Sequence, residues 1–165
     1  MSESLNPSVI RKLQERFPKS VIATSEFRSD LTVQIPKADI VRVCEFLKDD
    51  PDLAYDMVID LCGVDMYTTE NRFQVIYNLY SLKNKSYLRL KVAVDENGCV
   101  VDSVTGVWPG ANWHERETYD MFGIEFKGHP DLRRMYMPEE FEYYPLRKDF
   151  PLMGIPDSIP LPKKK

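Results

Sequence analysis

The densest run of reactive side chains is His114-Glu115-Arg116-Glu117-Thr118. A zinc protease helix carries a second His four residues after the first, so that both imidazoles meet one metal. Thr118 stands at that place here, and the only other histidine is His129. Glu115, Glu117 and Asp120 could instead supply a general acid and base. On a helix 117 and 120 share a face, whereas 115 and 117 point about 200° apart. Arg116 stands one turn before Asp120, the spacing of an i,i+4 ion pair. No glycine-rich phosphate loop occurs, since Gly106 and Gly110 flank the bulky Trp108-Pro109 pair. No G-x-S-x-G elbow is present either.

These charges sit among rings. Residues 108–150 hold ten of the nineteen aromatic side chains. Charge set among so much apolar surface is tolerated only when paired and hydrogen-bonded. The expected role of Glu115, Arg116, Glu117, Asp120, Arg133, Arg134, Arg147 and Lys148 is therefore to form ion pairs, within this block or to a neighbouring chain. Interfaces favour Trp, Tyr, Met and Arg, and all four are concentrated here.

A length of 165 residues with 43% hydrophobic side chains describes one soluble domain with its own core. The net charge of −4 lacks the broad attraction that non-specific nucleic-acid binding requires. No apolar stretch approaches the roughly 20 residues of a membrane span, and the N-terminus carries no signal pattern, so an intracellular chain is expected. Cys44, Cys62 and Cys99 are odd in number and spaced unlike any thiolate cluster; they read as small core residues of a reducing compartment.

The elements that must position these groups follow from periodicity. Asn6 as N-cap and Pro7 at the first helical position open a helix with Val9, Leu13 and Phe17 on one face. Strands are expected at Ser20–Phe27 and Leu31–Ile35 around a turn at Arg28-Ser29-Asp30. A second helix follows Pro36, with Ile40, Val43, Cys44 and Leu47 as its stripe. Further strands are expected at Met57–Cys62, Arg72–Leu82, Tyr87–Asp95 and, after a hairpin turn at Glu96-Asn97-Gly98, Cys99–Val107. Ala111–Phe122 reads as a helix stopped by Gly123, with short helical turns near 131–136 and 139–143. The fold class is α+β: a two-layer sandwich of a mixed sheet with helices on one face. Six of the twelve prolines fall at Pro138, Pro145, Pro151, Pro156, Pro160 and Pro162, with Leu152, Met153, Ile155, Ile159 and Leu161 between them. Proline at this density excludes regular helix or central strand. The expected organisation is a core at 1–130 and an extended arm at 131–165 lying on a partner.

The run Glu115-Arg116-Glu117-Thr118-Tyr119-Asp120-Met121-Phe122-Gly123-Ile124, followed by His129-Pro130-Asp131-Leu132-Arg133-Arg134, closely resembles the signature of the thirty-kilodalton subunit of respiratory complex I, known in bacterial NADH:quinone oxidoreductases as the C subunit. Trp113 stands just ahead of it. Pro145-Leu146-Arg147-Lys148-Asp149-Phe150-Pro151 resembles the closing motif of that family, and Asp60–Asp65 and Phe73–Leu82 resemble its central strands. Glu142-Tyr143-Tyr144 departs from the Asp, Gly or His that many members have before Pro-Leu-Arg.

The resemblance implies a non-catalytic structural and assembly role with no cofactor in this chain, FMN and iron–sulfur clusters residing in partner subunits. It also implies a position beside the hydrogenase-large-subunit-like, quinone-site subunit of the complex (its D-type component) and neighbouring iron–sulfur subunits. The chain would then be peripheral, on the cytoplasmic side of the inner membrane (the matrix side in a mitochondrion), touching the membrane only through the complex. It would be a free-standing subunit rather than one fused to its neighbour. An equivalent place in a membrane-bound hydrogenase, a formate-hydrogen lyase or another complex I-like dehydrogenase is the alternative. A stand-alone hydrolase using Glu117 and Asp120 is the remote one.

Overall fold

The computed structural model describes residues 5–155. Two helices, α1 (Asn6–Arg16) and α2 (Ile40–Asp49), are interleaved with β1 (Ala23–Phe27), β2 (Asp30–Ile35), β3 (Met57–Asp65), β4 (Phe73–Ser81) and β5 (Ser86–Val94). The chain then runs through β6 (Val100–Asp102), α3 (Ala111–Phe122) and β7 (Glu125–Lys127). The first five strands form one sheet in the order β1-β2-β5-β4-β3, antiparallel except for the parallel β2–β5 pair. The expected mixed sheet is thus present, with α1 and α2 on one face.

Strand alternation explains that face. Leu31, Val33 and Ile35 of β2, Leu88, Leu90, Val92 and Val94 of β5, and Phe73, Val75, Tyr77 and Leu79 of β4 are buried on the same side. Val9 and Leu13 of α1 and the predicted stripe Ile40, Val43, Cys44 and Leu47 of α2 complete one cluster with them. Each such side chain is worth about 1.5–3 kcal/mol of burial. The edge strand β1 is exposed throughout and carries Glu26, a charge that discourages pairing with another chain. Its turn with β2 places Arg28 and Ser29 at positive φ, the geometry of a tight hairpin turn.

Helix α3 lies along β3 at the other edge. Gly63 makes this possible: a Cβ there would stand 2.7 Å from the Phe122 ring and 3.0 Å from the Thr118 methyl group. A register shift between Val58 and Asp60 inserts Ile59 as a bulge in the same strand.

Four expectations are corrected. Helix α1 starts one residue early, with Leu5 at its N-cap and Asn6 inside it. Strand β1 begins at Ala23 rather than Ser20, because Ser20 is buried and donates its hydroxyl to Asp39. The hairpin after β5 does not form. β5 is already flanked by β2 and β4, so it has no free edge. The Cys99–Val107 segment shrinks instead to three residues of β6, paired in parallel with β7, a strand missed from the sequence. The helical turns at 131–136 and 139–143 are also absent, the first for a reason that lies in the site itself; near the second only one turn closes, Phe141 N–H donating to the Pro138 carbonyl.

Candidate functional site: an arm pinned to its own domain

Helix α3 ends at Gly123, whose φ of 73° supplies the left-handed cap. Asp120 sits in the last turn, fully buried, where a carboxylate faces the negative end of the helix dipole. Its compensation comes from the segment beyond. Arg134 Nη1 donates to Oδ1 at 2.7 Å, and the consecutive N–H groups of Met135, Tyr136 and Met137 donate to Oδ2 at 3.0, 2.7 and 3.0 Å. Backbone donors aimed at one anion cannot also make helical bonds, which is why no helical turn forms at 131–136. Burial pushes the Asp120 carboxyl up, but the N–H donors and Arg134 overcome it and hold the group below its usual range.

A second lock joins the sheet to the closing motif. Arg72 is buried between Asp65 (Nε–Oδ1 3.2 Å, Nη2–Oδ2 3.0 Å), Glu96 (2.7 Å) and Asp149 (2.9 Å). Asp65 also accepts the N–H groups of Tyr67 and Lys148, each at 2.8 Å. Burial works against ionisation of Asp65, but Arg72 and the two N–H donors bring it down to about 2. The bond to Asp65, then those to Asp149 and Glu96, raise the Arg72 guanidinium above its ordinary value.

Arg147 makes the third lock. Its Nε donates to the Phe122 carbonyl at 2.6 Å, and its guanidinium lies over the rings of Phe73 (4.9 Å) and Tyr144 (4.6 Å). Gly123 admits this stack, since a Cβ there would stand 2.6 Å from the Tyr144 ring. Arg134 also lies over the Tyr144 ring, at 5.1 Å, and reaches the buried Phe141 ring at 5.9 Å. Leu146 N–H donates to the Met121 carbonyl, and Pro145 turns the chain there. Residues 134–149 therefore fold back on their own domain.

The remaining signature residues divide. Glu115 is completely buried, accepting the Ser103 hydroxyl at 2.6 Å and the Val104 N–H at 2.7 Å. No cation approaches it among the described residues, so the expected ion pair at Glu115 is not formed. Burial raises its pKa to about 7 against the pull of those two donors. The expected Arg116–Asp120 pair is absent too. Arg116 donates to the Arg133 and Arg134 carbonyls and stacks on the exposed Trp113 ring at 4.9 Å. Arg133 pairs with Asp131 at 2.8 Å in solvent. Glu117 is exposed and makes no ion pair among the described residues.

His129 is a staple: Nδ1 accepts the Asp131 N–H at 3.0 Å, which leaves Nε2 to donate to the Asn112 carbonyl at 3.1 Å. Lys148 contributes its backbone rather than its side chain. Asp120, with no exposed surface and four donors on it, is closed to any substrate. The hydrolase reading loses its second carboxylate.

Among the described residues no group of three His, Cys, Asp or Glu side chains is placed to hold a metal. No described helix is long and apolar enough to cross a membrane. Cys44 is buried, and Cys62 and Cys99 half-buried, each with its thiol pushed up by burial. Among the charged groups at its surface the site also offers large apolar side chains outward: Trp113, Tyr136, Leu146, Leu152 and Met153 are exposed, the last two almost completely. A groove of about 470 Å³ lies between Tyr143, Tyr144, Phe150 and Ile155. The expected extended stretch carrying Pro156, Ile159, Pro160, Leu161 and Pro162 lies outside the described residues.

Comparison with known proteins gives these locks their context. The family described as "Respiratory-chain NADH dehydrogenase, 30 Kd subunit" matches residues 33–156. A relative from Roseiflexus sp. (strain RS-1), the C subunit of an NADH-quinone oxidoreductase, is 51% identical over 147 residues, 89% of this chain and 84% of the relative. One of the same name from Geotalea uraniireducens (strain Rf4) is 48% identical over 155 residues, 94% of this chain and 93% of the relative. Among solved structures, "Nqo5 of the trypsin-resistant fragment (1-134) in P63 form" superposes with a TM-score of 0.61 at 30% identity, covering 75% of this chain and 99% of that one. A chain of the "membrane-bound sulfane sulfur reductase (MBS), an archaeal respiratory membrane complex", shares the fold, with a TM-score of 0.72 at 21% identity over 89% of this chain and 86% of that one. The sequence signature, the sheet topology and these likenesses agree: the chain belongs to the family of the 30 Kd subunit of respiratory-chain NADH dehydrogenase.

Proposed function

We propose that this chain is a structural and assembly subunit of a proton-translocating NADH:quinone oxidoreductase, carrying no cofactor itself. It supports electron transfer from NADH through FMN and iron–sulfur clusters held by other subunits to quinone. It sits peripherally in the hydrophilic arm, on the cytoplasmic side of the membrane, beside the quinone-site subunit of hydrogenase-large-subunit type. The observation that carries this reading is the fate of the charged signature. Asp120, Arg134, Asp65, Arg72 and Arg147 are consumed in fixing the chain's own 134–149 segment. That use closes Asp120 and Asp65 off inside the fold, while bulky apolar residues of the same segment face outward.

In this role residues 134–149 form a rigid base, and the segment from Pro151 onward wraps the neighbouring subunit. Native purification through a tag on this chain tests the proposal. Recovery of an assembly containing flavin and iron–sulfur clusters that oxidises NADH supports it. A lone colourless monomer refutes it, and an assembly that oxidises hydrogen or formate but not NADH moves the subunit to a related machine.

A further inference from the structure

Opposite the helices, the sheet presents a second face. Along the middle strand β5, Arg89 and Lys91 project onto this face, between Thr32 and Gln34 of β2 and Asn78 and Ile76 of β4. Both are half-buried, and no carboxylate lies within 4.0 Å of either among the described residues. This contrasts with Arg72, Arg134 and Lys12, each of which is held by an acid of its own chain. Among the described residues Arg89 hydrogen-bonds through its Nε alone, to Asn78 Oδ1 at 3.0 Å. Asp60, at the β3 margin of this face, accepts Asn78 Nδ2 at 3.3 Å and lies 3.6 Å from His114 Nδ1.

Apolar groups gather at one end of the same face. Phe27 and Tyr87 are exposed by 71% and 56%, and Met57 and the bulged Ile59 by 41% each. The Tyr87 ring packs tilted against that of Tyr80, centroids 4.7 Å apart, and Tyr80 is the register partner of Met57. A groove of about 300 Å³ runs between Ile59, Tyr87 and Arg89, with Asp30 and Asp60 also on its wall, neither of them within ion-pair distance of Arg89.

We propose that this open sheet face, centred on Arg89 and Lys91, docks a protein partner whose contact segment presents carboxylates between apolar side chains. The inference rests on the reading of the chain as part of a larger assembly and adds an interface separate from the arm. Charge selects the occupant. Covering a half-buried cation strips its remaining water, a cost that only an incoming carboxylate offsets. Aromatic anchors beside an arginine are the composition of an interface hot spot. The chain's own last ten residues do not suit, because they set three lysines against the single acid Asp157. Anionic lipid is a poor match as well, since lipid-binding patches gather about 4–8 cations and this face has two at its centre.

The test uses the whole assembly purified through this chain. A carbodiimide, which joins an amine to a carboxylate in direct contact, is expected to couple Lys91 to an Asp or Glu of another subunit. Lys91→Arg keeps the charge and the recovery of partners but loses that cross-link. The double reversal Arg89→Glu with Lys91→Glu lowers recovered partner subunits at least about tenfold, while the free variant melts within a few degrees of the parent; if it does not fold, Lys91→Gln serves in its place. Three results overturn the proposal. In one, Lys91 is acetylated as readily in the assembly as in the free chain. In another, its cross-link runs to a second copy of this chain. In the third, it is protected only when anionic vesicles are added. If the parent chain brings partners down while Lys91 stays open, this inference fails alone; if it brings down none, the proposed function falls with it.

Discussion

The Asp65 carboxylate holds the Arg72 guanidinium by two parallel hydrogen bonds, of 3.2 and 3.0 Å, and accepts the N–H of Lys148 from 83 residues further along the chain. One buried pair thus ties the sheet edge to the closing motif. Asp65→Ala leaves a buried guanidinium without its main partner, a loss of about 3–5 kcal/mol. Urea denaturation of the parent and variant is expected to show a drop of that size, and faster amide exchange at Lys148.

Acid acts on the same pair. The folded pKa of Asp65 lies at about 2, below an ordinary value of 3.8. The unfolded chain therefore binds the proton first as pH falls. The contribution, about 2 kcal/mol, is complete above pH 4 and is lost as pH drops through 2. Asp65→Asn is expected to flatten that limb of the stability curve.

Glu115 has the opposite sign. Its folded pKa of about 7 exceeds the ordinary 4.5, so between these values the folded chain holds a proton that the unfolded chain has released. Stability falls as pH rises through that window, by about 3 kcal/mol in all. Glu115→Gln keeps an acceptor for Ser103 or Val104 and carries no charge. Its unfolding free energy is expected to be nearly level from pH 5 to 8 where that of the parent declines. A parallel decline in both proteins would remove Glu115 as the cause.

Asp120→Ala strands the N–H groups of 135–137 together with Arg134. A loss of at least about 3 kcal/mol is expected. Hydrogen exchange should quicken at those three amides before it does in β4 and β5. Uniform quickening across the sheet would show that the lock is not local.

Gly63→Val tests close packing against propensity. Valine suits a strand, but any Cβ at 63 meets the Phe122 ring at 2.7 Å. Destabilisation of about 1–3 kcal/mol is expected, read as a lower melting temperature. An unchanged or raised value would mean that α3 moves off β3 without penalty.

Charge reversal at Arg147 reaches function. Arg147→Glu removes the stack between Phe73 and Tyr144 and places a carboxylate beside Glu96. Recovery of partner subunits is expected to fall. Normal assembly with electron transfer selectively abolished would contradict the structural role.

The layers of this fold are written in the order of the side chains. Period-two burial in Leu31–Ile35 and Leu88–Val94, the helical stripe at Ile40–Leu47 and the Gly123 stop are all local properties. The signature around Glu115–Asp120 was legible in the same way, as was the absence of any metal-protease or phosphate-loop spacing. What each charge does was not legible. Glu115 and Asp120 lie five residues apart on one helix, yet one is held by a loop without any cation and the other by an arginine and three backbone donors.

That difference depends on which segments fold against which side of α3, and such contacts join residues tens of positions apart. The Arg72 cluster was missed for the same reason: Asp65, Glu96 and Asp149 converge on it from three regions of the chain. Strand pairing was likewise a tertiary matter. Gly98 is a sound turn signal, but β5 had already given both edges to β2 and β4. Hydrogen-bonding edges are finite and shared by the whole sheet, so no local pattern can reserve one.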